Sequence, residues 1–114
     1  MPISHTRIPT GNRLAFVAEW LALPNGEDGE RIGFSQYTDK SVQVSGTFGS
    51  GGSVRIEGSN DGVTWAVLTD PQGNDLNLTG PKIEMVTEAT AYVRPRVTAG
   101  DGTTAITVHM LLKE

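Results

Sequence analysis

Residues 56–68 read IEGSNDGVTWAVL. On the N-terminal side, the run SVRIEG sets Val54 and Ile56 against Arg55 and Glu57. On the C-terminal side, VTWAVL sets Val63, Trp65 and Val67 against Thr64 and Ala66. A period of two marks a half-buried β-strand. Between the runs stand Asn60, Asp61 and Gly62, residue types that tolerate positive φ and suit a tight hairpin. The same triplet fails as a metal loop, because one Asp and one Asn fall short of the six to eight oxygens that calcium takes. The spaced acids of an EF-hand are also missing. Trp65 shares a face with Val63 and Val67 and is predicted to lie in the core.

The same period extends outward in both directions. KSVQVSGTF puts Val42 and Val44 opposite Gln43 and Ser45, and GSGG at 49–52 makes a turn. TDPQGNDLNLTGP predicts a turn, a short strand around Leu76 and Leu78, and another turn. KIEMVTEA holds a further strand. AYVRPRVT alternates Val93, Pro95 and Val97 against Tyr92, Arg94 and Arg96. Pro95 donates nothing to a ladder, so this strand is an edge or carries a bulge. After the turn AGDG, TTAITVHMLL places Ile106, Val108 and Met110 on one face and His109 on the other.

Upstream, RLAFVAEWLALP fits two elements. Asn12 suits the cap of a helix that Pro24 would stop. As a strand, the stretch aligns Leu14, Phe16, Ala18 and Trp20. Phe, Val and Trp favour the strand, as does the β pattern downstream. PNGEDGE then reads as a loop. Residues 1–12 are predicted to be an extended arm, broken by Pro2, Pro9 and Gly11 and anchored by Ile3 and Ile8. Such an arm either frays or docks on a neighbour. Residues 13–114 form one all-β domain of short antiparallel strands, a sandwich or a barrel.

Composition removes several classes of function. The 114 residues carry a net charge of −4 and no cysteine. The charge argues against nucleic acid, whose phosphates need a basic face. Disulfides, thiolate nucleophiles and cysteine-bound zinc are excluded. No run is long enough to cross a membrane as a helix, and the first residues lack a signal-peptide core. Folding in a cytoplasm is the simplest expectation. Hydrophobic residues make up 37%, a low share that points to burial completed by a partner.

Catalytic patterns are equally scarce. His5 and His109 stand alone, without a spaced second ligand. No Gly-x-Ser-x-Gly elbow occurs, and GTFGSGGS lacks the Lys-Ser/Thr ending of a phosphate loop. Glu27, Asp28, Asp61, Asp70, Asp75 and Asp101 fall in turns, where turn chemistry accounts for them. The expectation is a protein with no enzymatic activity, no metal and no cofactor. The aromatics are Phe16, Trp20, Phe34, Tyr37, Phe48, Trp65 and Tyr92. A row of exposed rings among Trp20, Tyr37 and Tyr92 would instead make a carbohydrate-binding module.

In succession, SVQVSGTFGSGGSVRIEGSNDGVTW, LTDPQGN and YVRPRVTAGDGTT resemble the decoration, or cement, proteins of tailed bacteriophages. The resemblance spans residues 40–108, and RPRVTAGDG is its most distinctive part. It implies a jelly-roll-like sandwich, often oligomeric, on the outside of the capsid. The partners it implies are the major capsid protein and further copies of the chain, as dimer or trimer, with no cofactor. The family has no residue signature to transfer, so the candidate contacts come from this sequence alone. They are Ile3, Arg7, Ile8 and Arg13 in and beside the arm, and Tyr92, Arg94 and Arg96 on one strand face. Deleting residues 2–9 is expected to leave a folded domain that binds capsids weakly. A tail or head-completion protein is the alternative within the virion.

Overall fold

The computed structural model describes residues 2–33 and 37–114; Met1 and Phe34, with its two following neighbours, lie outside them. The strands are β1 (Thr6–Pro9), β2 (Ala15–Leu23), β3 (Asp39–Thr47), β4 (Ser53–Ser59), β5 (Ala66–Val67), β6 (Asn77–Leu78), β7 (Lys82–Val86), β8 (Tyr92–Ala99) and β9 (Ala105–Lys113). The protein is all-β, and the strands pair antiparallel in two sheets. The larger has the order β1-β2-β9-β3-β7. In the smaller, β4 pairs with β8 on one side and with the short β5 and β6 on the other.

Alternation decides which side chains meet between the sheets. Phe16, Ala18 and Trp20 of β2 and Ile106, Val108 and Met110 of β9 are buried. Val54 and Ile56 of β4 and Val93 and Val97 of β8 join the same apolar cluster. The ambiguous stretch after Asn12 is therefore a strand. Leu14, expected to point inward with Phe16, lies just before it and is exposed. At the other end a bulge breaks the register between Trp20 and Leu23. Ala22 sits there at φ 57°, and its N–H donates to Thr107 Oγ1. The extra residue sends Leu21 out and Leu23 in, as a bulge does.

Two segments expected to be irregular are paired. Residues 6–9, placed in the arm, form the edge strand of the larger sheet, in register with Phe16–Glu19. The prolines do not interrupt this strand. Pro9 is its last residue, and an edge tolerates a missing donor. Part of the 24–30 loop continues into a strap that runs beside β8. Gly29 N–H donates to Pro95 O at 2.8 Å, and Ile32 exchanges bonds with Val93. Pro95 thus turns its donor-less side to the strap, and the β4 ladder loses no bond. The strap passes so close that a Cβ on Gly29 would lie 2.6 Å from Pro95 and 2.7 Å from Trp20. Trp20 is fully buried beneath it and donates from Nε1 to Glu30 O at 3.0 Å.

The hairpin at Asp61 pairs β4 with β5 as expected, but through a six-residue connection rather than a tight turn. Val63 is 80% exposed and Trp65 only half-buried, so neither belongs to the core. Asp61 Oδ1 accepts from the Ser59 hydroxyl and from the N–H groups of Val63 and Thr64 at 2.8–2.9 Å. These bonds wind residues 60–64 into a knuckle and shift the alternation out of phase. Gly62, at φ 77°, closes the knuckle.

Candidate functional site, an arginine face on the smaller sheet

The outer face of β4 and β8 collects charge. Register brings Arg55 beside Arg96, Glu57 beside Arg94, and Ser59 beside Tyr92. Glu57 is 1% exposed. Its Oε1 accepts from Arg94 Nε at 3.0 Å, and its Oε2 lies 3.0 Å from Arg55 Nε. Arg94 also reaches Asp28 of the strap at 3.4 Å, and Arg96 meets the other oxygen of Asp28 at 3.3 Å. Trp65, displaced from the core by the knuckle, lies against Arg94, whose Cζ is 4.1 Å from the ring centre. Arg31 stacks on Tyr92 at 4.3 Å and donates to Gly62 O. Such contacts hold the guanidinium groups flat and ordered.

Four arginines (31, 55, 94 and 96) therefore share this face with three carboxylates, Asp28, Glu57 and Glu30, the last lying 2.7 Å from His5 Nδ1. The patch is locally cationic on a chain of net charge −4. A polar groove of about 350 Å³ opens on it, lined by Gly29, Glu30, Arg31, Gly62, Trp65 and Arg94. Among the described residues, no group of three or more His, Cys, Asp or Glu is placed to hold a metal.

The seven candidate contact residues divide between separate places. Tyr92, Arg94 and Arg96 do share one face, but Arg94 is committed to Glu57 and Asp28. Arg96 keeps 49% of its side chain exposed. Ile3 is partly buried against the core and bridges the strap, accepting from Glu30 N–H at 2.7 Å. Arg7 lies over the Phe16 ring at 4.0 Å. Ile8 faces outward beside Val17 on the larger sheet. Arg13 is exposed in the β1–β2 turn, at the rim of a depression of about 350 Å³ floored by Phe16. Trp20 and Tyr37 are both buried, so the predicted row of exposed rings is not formed. Trp65, Arg31, Arg55 and Asp28 belong to the face but were not among the candidate contacts read from the sequence. Of these only Arg55 had a sequence signal, in the outward charges at 55, 57, 94 and 96.

Neither a family model nor a curated protein matches this sequence. Among solved structures, the fold is similar to that of the SPBc2 prophage-derived protein YomS. The TM-score is 0.66 and the identity 12%, over 90% of this chain and 97% of that one. Protein NMB1881 from Neisseria meningitidis is also similar, with a TM-score of 0.50 and 10% identity over 100% of this chain and 87% of the other. At these identities the likeness is one of fold.

Proposed function

We propose that this chain is a virion structural protein of a tailed phage, seated on the outer capsid surface and bridging major capsid protein subunits. The observation that carries the reading is the likeness, over nearly the whole of both chains, to a prophage-derived protein. We read the fold as a jelly-roll-like sandwich. In its support, β2, β9, β3 and β7 are consecutive in one sheet, and the strap, β8, β4 and the β5/β6 pair are consecutive in the other. Jelly rolls serve viral capsids and lectins alike, so the surface has to decide between them.

The cationic face supports a protein partner bearing carboxylates. Arg96, with its exposed side chain, and the groove beside Trp65 would take acidic coat segments. Arg13 in the β1–β2 turn would make a second contact, as bridging requires. Binding would stabilise the expanded shell by mass action, by about 2.7 kcal/mol when free protein stands at a hundred times its Kd. The reading needs neither a reaction nor a cofactor.

The test is co-sedimentation with empty shells built from the coat protein of the same phage, expanded and unexpanded. Saturable binding to expanded shells is expected, weakened about tenfold by Arg96→Glu through the reversed charge. No binding to either shell would overturn the capsid placement. Binding to purified tails or connectors would move the protein elsewhere in the virion, and quenching of tryptophan fluorescence by glycans would favour a sugar ligand.

A further inference from the structure

The stretch PNGEDGE, residues 24–30, holds a pair that the arginine face does not use, Asn25 followed by Gly26. The asparagines are residues 12, 25, 60, 74 and 77, and Asn25 alone precedes a glycine. The others precede Arg13, Asp61, Asp75 and Leu78, whose side chains crowd the next backbone nitrogen. The fold sharpens the difference. Asn12 Oδ1 accepts from Leu14 N–H at 2.9 Å, Asn60 Oδ1 accepts from Ala91 N–H at 2.9 Å, and Asn74 Nδ2 donates to Asp70 at 3.4 Å. Asn77 is held in β6, with buried Leu78 after it. Asn25 stands instead in an exposed turn, closed by Glu27 N–H donating to Pro24 O at 3.3 Å. Gly26 fills the position of that turn that takes positive φ, at 83°. Nothing lies within 4 Å of where its Cβ would be. Among the described residues, no partner holds the Asn25 side chain or the Gly26 N–H. Exposed turns of this kind open locally at little cost in free energy.

We propose that Asn25 is a site of spontaneous deamidation through a cyclic imide, with water as the co-reactant. The Gly26 amide gives its proton to hydroxide, and its nitrogen attacks Asn25 Cγ. The N–Cγ bond forms and the Cγ–Nδ2 bond breaks. Nδ2 takes a proton from water and leaves as ammonia. Water then opens the imide. Breaking the new N–Cγ bond gives aspartate. Breaking the original peptide bond gives isoaspartate, in which the chain runs through Cβ and Cγ. No atom changes oxidation state, and either product adds a negative charge to the chain. The three Asp-Gly pairs offer the same imide, but the fold ties each of them. Asp28 is paired with Arg94 and Arg96, and Gly29 N–H donates to Pro95 O. Asp61 accepts from Val63 and Thr64, and Gly62 N–H donates to the Ser59 hydroxyl. Asp101 accepts from Ser50 and Thr103. Such bonds favour the ionised carboxylate, which is a poor electrophile. Folding therefore confines the reaction to one turn. That turn opens the strap, since the next anchor is Glu27 O, which accepts from Val97 N–H at 3.0 Å. Isoaspartate would lengthen the main chain there by a methylene, just before Asp28. The inference stands apart from the capsid reading, because it concerns the chemistry of the free chain.

The experiment is incubation of the full chain in mildly alkaline buffer, folded and in guanidinium chloride. Ion exchange, peptide mapping by mass spectrometry and labelling with an isoaspartyl methyltransferase read the products. The folded chain should yield a more acidic form that maps to Asn25, with the other asparagines and the Asp-Gly pairs intact. In denaturant, isoaspartate should appear at the Asp-Gly pairs as well. Asn25→Gln keeps the amide on a longer side chain and should abolish the acidic form. A folded chain that keeps Asn25 intact, whether or not the denatured chain converts it, would overturn the proposal, because the turn would then hold the amide away from the Gly26 nitrogen. So would conversion at Asn74 or Asp28 as fast as at Asn25, or an acidic form that survives Asn25→Gln.

Discussion

Glu57 holds the arginine face together. Taking a carboxylate out of water costs several kcal/mol, recovered only with good partners, and Glu57 has Arg55 on one oxygen and Arg94 on the other. Arg94 in turn carries the Trp65 ring and one oxygen of Asp28. Arg94→Met should therefore destabilise the fold by about 3 kcal/mol, the low end for breaking a buried pair because Arg55 remains. Adding Glu57→Gln should recover more than half of that loss, because the stranded charge disappears. Urea denaturation of the two single variants and the double variant measures the cycle; simple additivity would show that the pair is not coupled. The outward placement of Arg94 and Glu57 could be read in the sequence from alternation. Their contact could not, because 37 residues separate them and only the β4–β8 register brings them together. Trp65 misled for a local reason. Val63, Trp65 and Val67 keep the period of a strand, but the carboxylate of Asp61 gathers the chain into a knuckle before that strand begins.

At the scale of elements, β1 changes what the N-terminus is for. It supplies the outer strand of the larger sheet, and it lays Arg7 on Phe16 and His5 beside Trp20. Ile3 fixes the strap through bonds to Asp28 and Glu30. Deleting residues 2–9 should thus cost the domain stability, not only a binding arm. Partial burial of Ile3 and Ile8 alone is worth about 2 kcal/mol, so a clear fall in Tm is expected. An unchanged melting curve would mean that β1 is a detachable segment after all. The long strands β3, β8 and β9 were legible because each buries one face and alternates accordingly, whereas β2 also fitted a helix and was read as a strand from its Phe, Val and Trp and the β pattern downstream. The edge strand was not, since its four residues bury almost nothing and the prolines around it read as breaks. The strap was hidden for a related reason. Its residues are those of turns (Asn25, Gly26, Asp28, Gly29), and its pairing depends on Pro95 leaving an acceptor free. Alternation also misjudged β4, which is buried on both faces because Arg94 and Trp65 roof its outer side.

For the molecule as a whole, turn carboxylates set the response to acid. The Thr103 hydroxyl and the N–H groups of Ser50 and Thr103 hold Asp101 down at about 2. The N–H groups of Thr64 and Val63 push Asp61 well below the usual range, and that of Asn74 lowers Asp70. Burial would raise Glu88, but the bonds from Thr69 outweigh it and the net shift is downward. A carboxylate lowered on folding stabilises the native state above its unfolded pKa, and that contribution is lost as pH falls through the folded value. Lys40 is lowered by burial, against the pull of Asp39 and Glu88. A lowered lysine costs stability at neutral pH and is relieved only on the alkaline side, so it adds nothing to the acid limb. Stability should then hold from neutrality to about pH 4 and fall between there and about pH 2 as these groups take up protons. The slope of unfolding free energy against pH counts those protons. Asp101→Asn keeps one acceptor oxygen, for Thr103, gives up the one that Ser50 uses, and removes the charge, so it should lower the count by about one. A slope as steep as that of the wild type would mean that Asp101 titrates alike in both states, and its three bonds would then hold the 100–104 turn without favouring the ionised form.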